Sequence, residues 1–220
     1  MGNPVFRARF EDQLIVLDVA KDSYTVLSPE QTRALACKPP AAIATVDRGV
    51  DAAEGRWPRG ERGSTMCDVP GPDDCDYGGV PSNCWSISSA DVSVAAGVRL
   101  IGQALLMLHR AHRISATRRL AGLQKHIETD PCRARRGRVT QYQLATALNV
   151  ASLLYPKRTK CLEWAAAAIL LGHRFGYRST LVIGVQNRPF YAHAWVEHAG
   201  HVVGDDPTLR RRLAVILEIA

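Results

Sequence analysis

Long apolar runs are missing from this chain. Nowhere in its 220 residues does an apolar stretch approach the roughly 20 residues a helix needs to cross a bilayer, and the opening MGNPVFRARFED has no signal-peptide core. A cytoplasmic location with mostly reduced thiols is the expectation, and no membrane span. No glycine-rich phosphate loop is present, so any nucleotide dependence is expected to belong to a partner, and no cofactor is expected here. There is also no zinc finger, ribonucleoprotein motif or obvious recognition helix, which argues against nucleic acid as a partner. The cysteines stand at 37, 67, 75, 84, 132 and 161. The group at Cys67, Cys75 and Cys84 matches no usual zinc spacing and has no histidine nearby, so no metal site is expected.

What is present suffices for a core. Hydrophobic residues make up 46% of the chain, enough for one large or two small domains. Charge is divided unevenly: residues 1–90 carry nine Lys or Arg against thirteen Asp or Glu, and residues 91–220 carry nineteen against eight. These nets of −4 and +11 sum to the +7 of the whole chain. Residues 91–160 hold thirteen basic and three acidic residues. An acidic partner surface and a solvated basic face both account for that excess.

The informative stretch runs from Cys161 to Asp206. Pro156 and Thr159 signal a helix start, residues 162–171 form an apolar body, and Gly172 and Gly176 signal its end. Cys161 then lies in or beside the first turn, where free N–H groups, the helix dipole and Lys157, Arg158 and Lys160 favour a thiolate. The alanines 165–168 leave room for a closely packed neighbour. Two strand-like runs follow, at 180–186 and 190–198, separated by a turn at Asn187 and Pro189. Alternation puts Tyr191, His193, Trp195 and Glu197 on one face of the second strand. Trp195 is expected to pack against the helix or to shield the imidazole.

A hairpin at residues 198–200 returns the chain through His201 towards two acids. A two-residue turn would place Ala199 at positive φ, which a Cβ resists, and would pair His193 with Asp206. A three-residue loop with Gly200 at the left-handed position pairs His193 with Asp205. The loop is expected, hence Asp205, with Asp206 as the alternative. A lone cysteine or histidine is more often structural than chemical. Nucleophile, base and carboxylate in this order on these elements point to thiol acyl-transfer chemistry.

Upstream, VFRARF, QLIVLDVA and SYTVLS read as three strands, and Ser28 and Pro29 open a short helix over residues 30–37. Residues 38–90 are rich in Gly, Pro, Ser and Asp. From Asp91 helices take over: residues 92–114 form an amphipathic helix with Val98, Ile101, Leu105 and Leu108 on its apolar stripe, and RRLAGLQKHI and RVTQYQLATALNVASLLY form two more.

The segments TKCLEWAAAAILL, STLVIGVQNRPFYAHAWVEHAGHVVGDDP and RRLAVILEI resemble the lasso peptide leader peptidases, the B proteins of the microcin J25 type. The resemblance is strong over residues 91–220. It implies an α+β fold in which a small winged-helix-like sheet domain at residues 1–86, a partial match to leader-recognition domains, precedes a papain/transglutaminase-like cysteine protease domain at 91–220. It also implies Cys161 as nucleophile, His193 as general base and Asp205 as its orienting acid. The leader of a ribosomally made precursor is expected to add as a strand along the sheet edge at Tyr24, Thr25, Val26 and Leu27. An asparagine-synthetase-like cyclase is the implied partner. The oxyanion would be met by the Cys161 N–H and a second donor, for which Gln141 and Gln143 are candidates. A transglutaminase- or N-acetyltransferase-type acyl transferase and a non-catalytic delivery protein are the rival readings.

Overall fold

A computed structural model describes residues 5–36, 78–80, 97–132 and 139–220 of the chain. The reading of residues 38–90, including Cys67, Cys75 and Cys84, therefore lies outside the described residues except for 78–80. The architecture is mixed α and β: a small N-terminal sheet, then a helical and sheet region.

Strands β1 (Val5–Phe10), β2 (Gln13–Asp18) and β3 (Ser23–Val26) form an antiparallel sheet in the order β1-β2-β3. Helix α1 (Pro29–Ala36) follows. Its start is the predicted one: Ser28 Oγ accepts from the Gln31 N–H at 3.2 Å, and Gln31 Oε1 accepts from the Ser28 N–H at 3.0 Å. Helix α2 (Val98–Thr129) takes in both the residues 98–114 and the RRLAGLQKHI helix expected from the sequence, with one departure from helical geometry at Arg119, φ 53°. The expected stripe is partly displaced. Leu108 is buried with Ala104, Met107 and Ala111, and Ile101 and Leu105 pack against the core, whereas Val98 at the helix start is 87% exposed.

Helices α3 (Gln141–Leu154) and α4 (Cys161–Arg174) run antiparallel across a short connection. Strands β4 (Thr180–Gln186), β5 (Tyr191–His198), β6 (His201–Val203) and β7 (Ala214–Ile219) form the second sheet in the order β6-β5-β4-β7, with helix α5 (Leu209–Arg212) before the last strand. Ala165, Ala166 and Ala167 are fully buried, and these small side chains let α2 pack closely on α4. One face of the second sheet, through Leu181, Ile183, Ala194 and Val196, shares its apolar core with α2, α3, α4 and with Phe10, Ile15 and Leu17 of the small sheet. On the other face Val182, Trp195, Leu209 and Leu213 form a second cluster. Trp195 thus lies across the sheet from α4. Of the two roles expected for Trp195, packing against the helix does not occur, because alternation puts it on the same face as His193, whose ring it stacks beside instead.

Candidate active site

The tip of α4 is anchored before any chemistry is considered. The N–H of its N-cap, Lys160, donates to Glu163 Oε2 at 3.1 Å, and Glu163, 4% exposed, also meets His112 Nδ1 of α2 at 3.1 Å. Cys161 is the first helical residue, where backbone N–H groups lack helical partners and the dipole favours negative charge. Strand β6 pairs with β5 only over residues 196–198. Above that point the outer edge of β5 has no strand neighbour among the described residues, and Cys161 occupies it. The His193 side chain and the N–H groups of Ala194 and Leu162 lie beside its sulfur and favour its charged form.

His193 Nε2 lies 2.7 Å from Asp205 Oδ2, and the other ring nitrogen, Nδ1, is buried. Asp205 is steered by a further bond, from the Asp206 N–H to its Oδ1 at 2.8 Å. The Asp206 carboxylate points elsewhere: Oδ1 accepts from the N–H and hydroxyl of Thr208 at 2.8 and 2.7 Å, and Oδ2 pairs with Arg212 at 3.3 Å.

Asp205 is brought to His193 by a route other than the expected loop. His198 pairs directly with His201, so the turn has two residues, and both Ala199 (φ 48°) and Gly200 (φ 80°) are left-handed. The turn's match to strand twist outweighs the strain at one alanine. Continued in that register, Asp206 would face His193. The strand instead stops at Val203, and Gly204 at φ 72° swings the chain so that Asp205 arrives first. A Cβ on Gly204 would meet the Trp164 ring at 2.9 Å. Gly204→Ala is therefore expected to destabilise the protein by about 1–3 kcal/mol in urea unfolding and to pull Asp205 off the imidazole.

The transglutaminase-like superfamily matches residues 103–218, which takes in most of α2, all of α3, α4 and α5, the cysteine and the second sheet as far as Glu218. The chain belongs to this superfamily. Its enzymes are cysteine-dependent, and the geometry above surrounds a cysteine. The chain is also similar to the microcin J25-processing protein McjB of Escherichia coli, 40% identical over 62 residues, or 28% of this chain and 30% of McjB. The match thus spans less than a third of the length of that curated relative. No solved structure matches the chain.

In this superfamily setting the charges favour a thiolate. Burial pushes the Cys161 thiol up, but the hydrogen bond and charge of His193, with the Ala194 and Leu162 N–H groups, outweigh it, so the thiol titrates below its ordinary value. Burial likewise opposes a charged His193. The hydrogen bonds to Asp205 and Cys161 and their charges outweigh that penalty and lift the imidazolium to about 9. Both shifts favour the charged pair, a thiolate beside an imidazolium.

The remaining expected residues divide. Tyr24 of β3 comes to the site: its ring centroid lies 5.6 Å from that of Phe190, just before β5. Burial, then the Asp22 carboxylate and the Cys161 sulfur, push its phenol up to about 12, so it stays a hydrogen-bond donor. Thr25 and Val26 are exposed on the same strand, and the Leu27 N–H closes onto Leu14 O at 2.8 Å. Gln141 and Gln143 are not at the sulfur. Because α3 and α4 are antiparallel, the start of α3 lies beside the far end of α4; Gln141 there donates to Ser179 Oγ at 3.3 Å, and the Gln143 side chain accepts from the N–H of the N-cap Thr140 at 2.8 Å. Sequence reasoning missed Tyr24 as a neighbour of Cys161, because nothing local links residue 24 to residue 161. Beside Asp205 a cavity of about 530 Å³ opens between α3 and the Gly204 turn, lined by Tyr142, Ala145, Thr146, Asn149 and Asp206. Among the described residues no cluster of His, Cys, Asp or Glu could hold a metal ion, and no helix is long and apolar enough to cross a membrane.

Proposed function

We propose that the protein is a cysteine peptidase that removes the leader from a ribosomally made lasso peptide precursor. Cys161 is the nucleophile, His193 the general acid and base, and Asp205 the carboxylate that orients it. The observation that carries the reading is the buried chain of contacts from sulfur to imidazole to carboxylate at the tip of a helix, in a cysteine-dependent superfamily and in a chain similar to a microcin-processing protein.

In this reaction the thiolate attacks the carbonyl carbon at the leader–core junction, and negative charge develops on the carbonyl oxygen. Backbone N–H groups at the start of α4 are positioned to receive that charge. The imidazolium gives its proton to the departing amine, and the acyl-enzyme forms on sulfur. His193, now neutral, takes a proton from water as water attacks the thioester, and the leader leaves as a carboxylate. The freed α-amine of the core is the group that an asparagine-synthetase-like cyclase joins to a side-chain carboxyl.

Substrate delivery fits the neighbourhood of β3. It is an edge strand among the described residues, and its Tyr24 reaches the sulfur's surroundings. Because the Leu27 N–H points to β2, alternation turns the N–H and C=O groups of Tyr24 and Val26 to the free edge, where a leader could pair. A leader added there would direct its C-terminal end towards Cys161. The cavity beside Asp205 offers room for a side chain next to the scissile bond.

The test is incubation of the purified protein with candidate precursors, with and without the cyclase, followed by mass spectrometry. A free leader and a trimmed core are expected; a crosslinked or acylated product would assign the protein to amine-acceptor acyl transfer. Within the same assay Val26→Pro, which removes an outward N–H, is expected to raise KM for precursor about tenfold or more with kcat little changed. Unchanged leader affinity in that variant would rule out the β3 edge.

A further inference from the structure

The imidazole does more than bridge two partners. Its plane is set by neighbours on its own strand. Tyr191, His193 and Trp195 alternate on one face of β5, and strand rise brings such residues to roughly 6.6 Å spacing. The His193 ring lies 5.9 Å from Tyr191 at an interplanar angle of 18°, and 6.1 Å from Trp195 at 23°. It is thus held between two nearly parallel aromatic faces.

The inner partner is itself held. Trp195 is fully buried against Val182, Leu209 and Leu213, and its Nε1–H donates to Glu197 Oε1 at 2.7 Å. Glu197, 6% exposed, would be costly as a lone buried carboxylate. Arg210 answers it, with Nε at 2.7 and 2.8 Å from the two carboxylate oxygens, and is steadied by Glu218 at 2.7 Å. Room for the indole comes from Gly184, the β4 residue paired with His193: a Cβ there would lie 2.7 Å from the Trp195 ring and 2.9 Å from Leu213. A core filler would not require this chain of polar contacts behind it.

We propose that Tyr191 and Trp195 clamp the His193 ring in the one plane that serves both Cys161 and Asp205, and that Glu197 and Arg210 are positioning residues that hold Trp195. The inference rests on the thiol chemistry assigned above, not on the identity of the peptide. Two hydrogen bonds fix where the ring nitrogens point only if the ring cannot tilt, and flat aromatic faces on both sides remove that freedom. The same faces attract a cation within about 6 Å, so the clamp also favours the charged ring. The other ionisable groups around the pair are Cys161 from α4, Asp205 after β6, and Tyr24 from β3 beside the sulfur.

The test uses the full chain and iodoacetamide, with carbamidomethylation of Cys161 quantified by mass spectrometry from pH 4 to 10 and the other cysteines as internal references. No peptide substrate is needed. Trp195→Leu is expected to move the midpoint of Cys161 reactivity upward by about one pH unit, and Trp195→Phe to restore most of the shift. Arg210→Gln, which leaves the ring in place but frees its anchor, is expected to shift the midpoint in the same direction by less. If Trp195→Leu does not fold, Tyr191→Leu against Tyr191→Phe carries the same comparison on the more accessible face. Folded leucine variants with the wild-type curve would overturn the clamp. A wild-type Cys161 that titrates like the reference thiols would instead overturn the thiolate assignment beneath it.

Discussion

Cys161→Ala is expected to leave precursor uncut, with kcat reduced on the order of 10⁶-fold, because the acyl intermediate forms on its sulfur. The only other cysteine among the described residues, Cys132, follows the end of α2 and is separated from Cys161 by the whole of α3. Removing the sulfur should cost little stability, since the α4 tip is held by the Lys160 and Glu163 contacts and by His112 rather than by the thiol. The variant should therefore still bind leader. That pairing of lost cleavage with retained leader affinity, read by mass spectrometry and by fluorescence anisotropy of a labelled leader, separates a peptidase from a delivery protein. Full-speed trimming by Cys161→Ala would sink the peptidase reading. Wild-type protein that delivers precursor to the cyclase after Cys161 is alkylated, while no free leader ever appears, would favour delivery.

The second large effect is a contrast between neighbours. Asp205→Asn keeps the shape of the side chain but removes the charge beside His193 Nε2, and it allows the amide to present a donor where an acceptor is required. Loss on the order of 10²- to 10⁴-fold in kcat is expected. Asp206→Asn should lose no more than a few-fold, since its Oδ1 still accepts from Thr208 and no contact to the imidazole is removed. The pH profiles should differ in a defined direction. In the wild type the thiolate and imidazolium coexist above the lowered thiol value and below about 9, so activity falls on the acid side as sulfur is protonated and on the alkaline side as the ring loses its proton near 9. Without the Asp205 charge the alkaline limb moves down. Stability follows the same sign: the folded value of His193 is raised above that of the unfolded chain, so its contribution is complete below about 6.5 and is lost as pH rises through about 9. Equal losses in both variants would show that the 2.7 Å contact to Asp205 does not govern the base.

Much of the fold could be read locally because its causes are local. Ser28 and Gln31 close a capping box through contacts three residues apart, and the β-branched run of β4 and the alternation of β5 make strands wherever those segments are placed. The order helix, strand, strand, hairpin puts Cys161 on α4 and His193 two elements later on β5, so their approach needs only that the helix tip meet the β5 edge. What periodicity could not supply was the extent of α2, which continues through the expected boundary with a single break at Arg119. Tertiary packing, not propensity, decided that.

The sequence by itself determined which residue types could carry the chemistry, which strand face His193 occupies, and the capped start of α1, since these depend on side-chain identity and short-range geometry. The tertiary structure alone decided the rest. Asp205 reaches His193 because Gly204 abuts Trp164 and ends β6 early, which no turn rule at Ala199 and Gly200 anticipates. Gln141 lies at the wrong end of an antiparallel helix pair, Tyr24 is carried to Cys161 by the docking of a separate sheet, and Trp195 finds its slot against a glycine on the adjacent strand. Each of these is a contact between residues distant in the chain, made when apolar faces bury one another, and burial of that kind leaves no local signature to read.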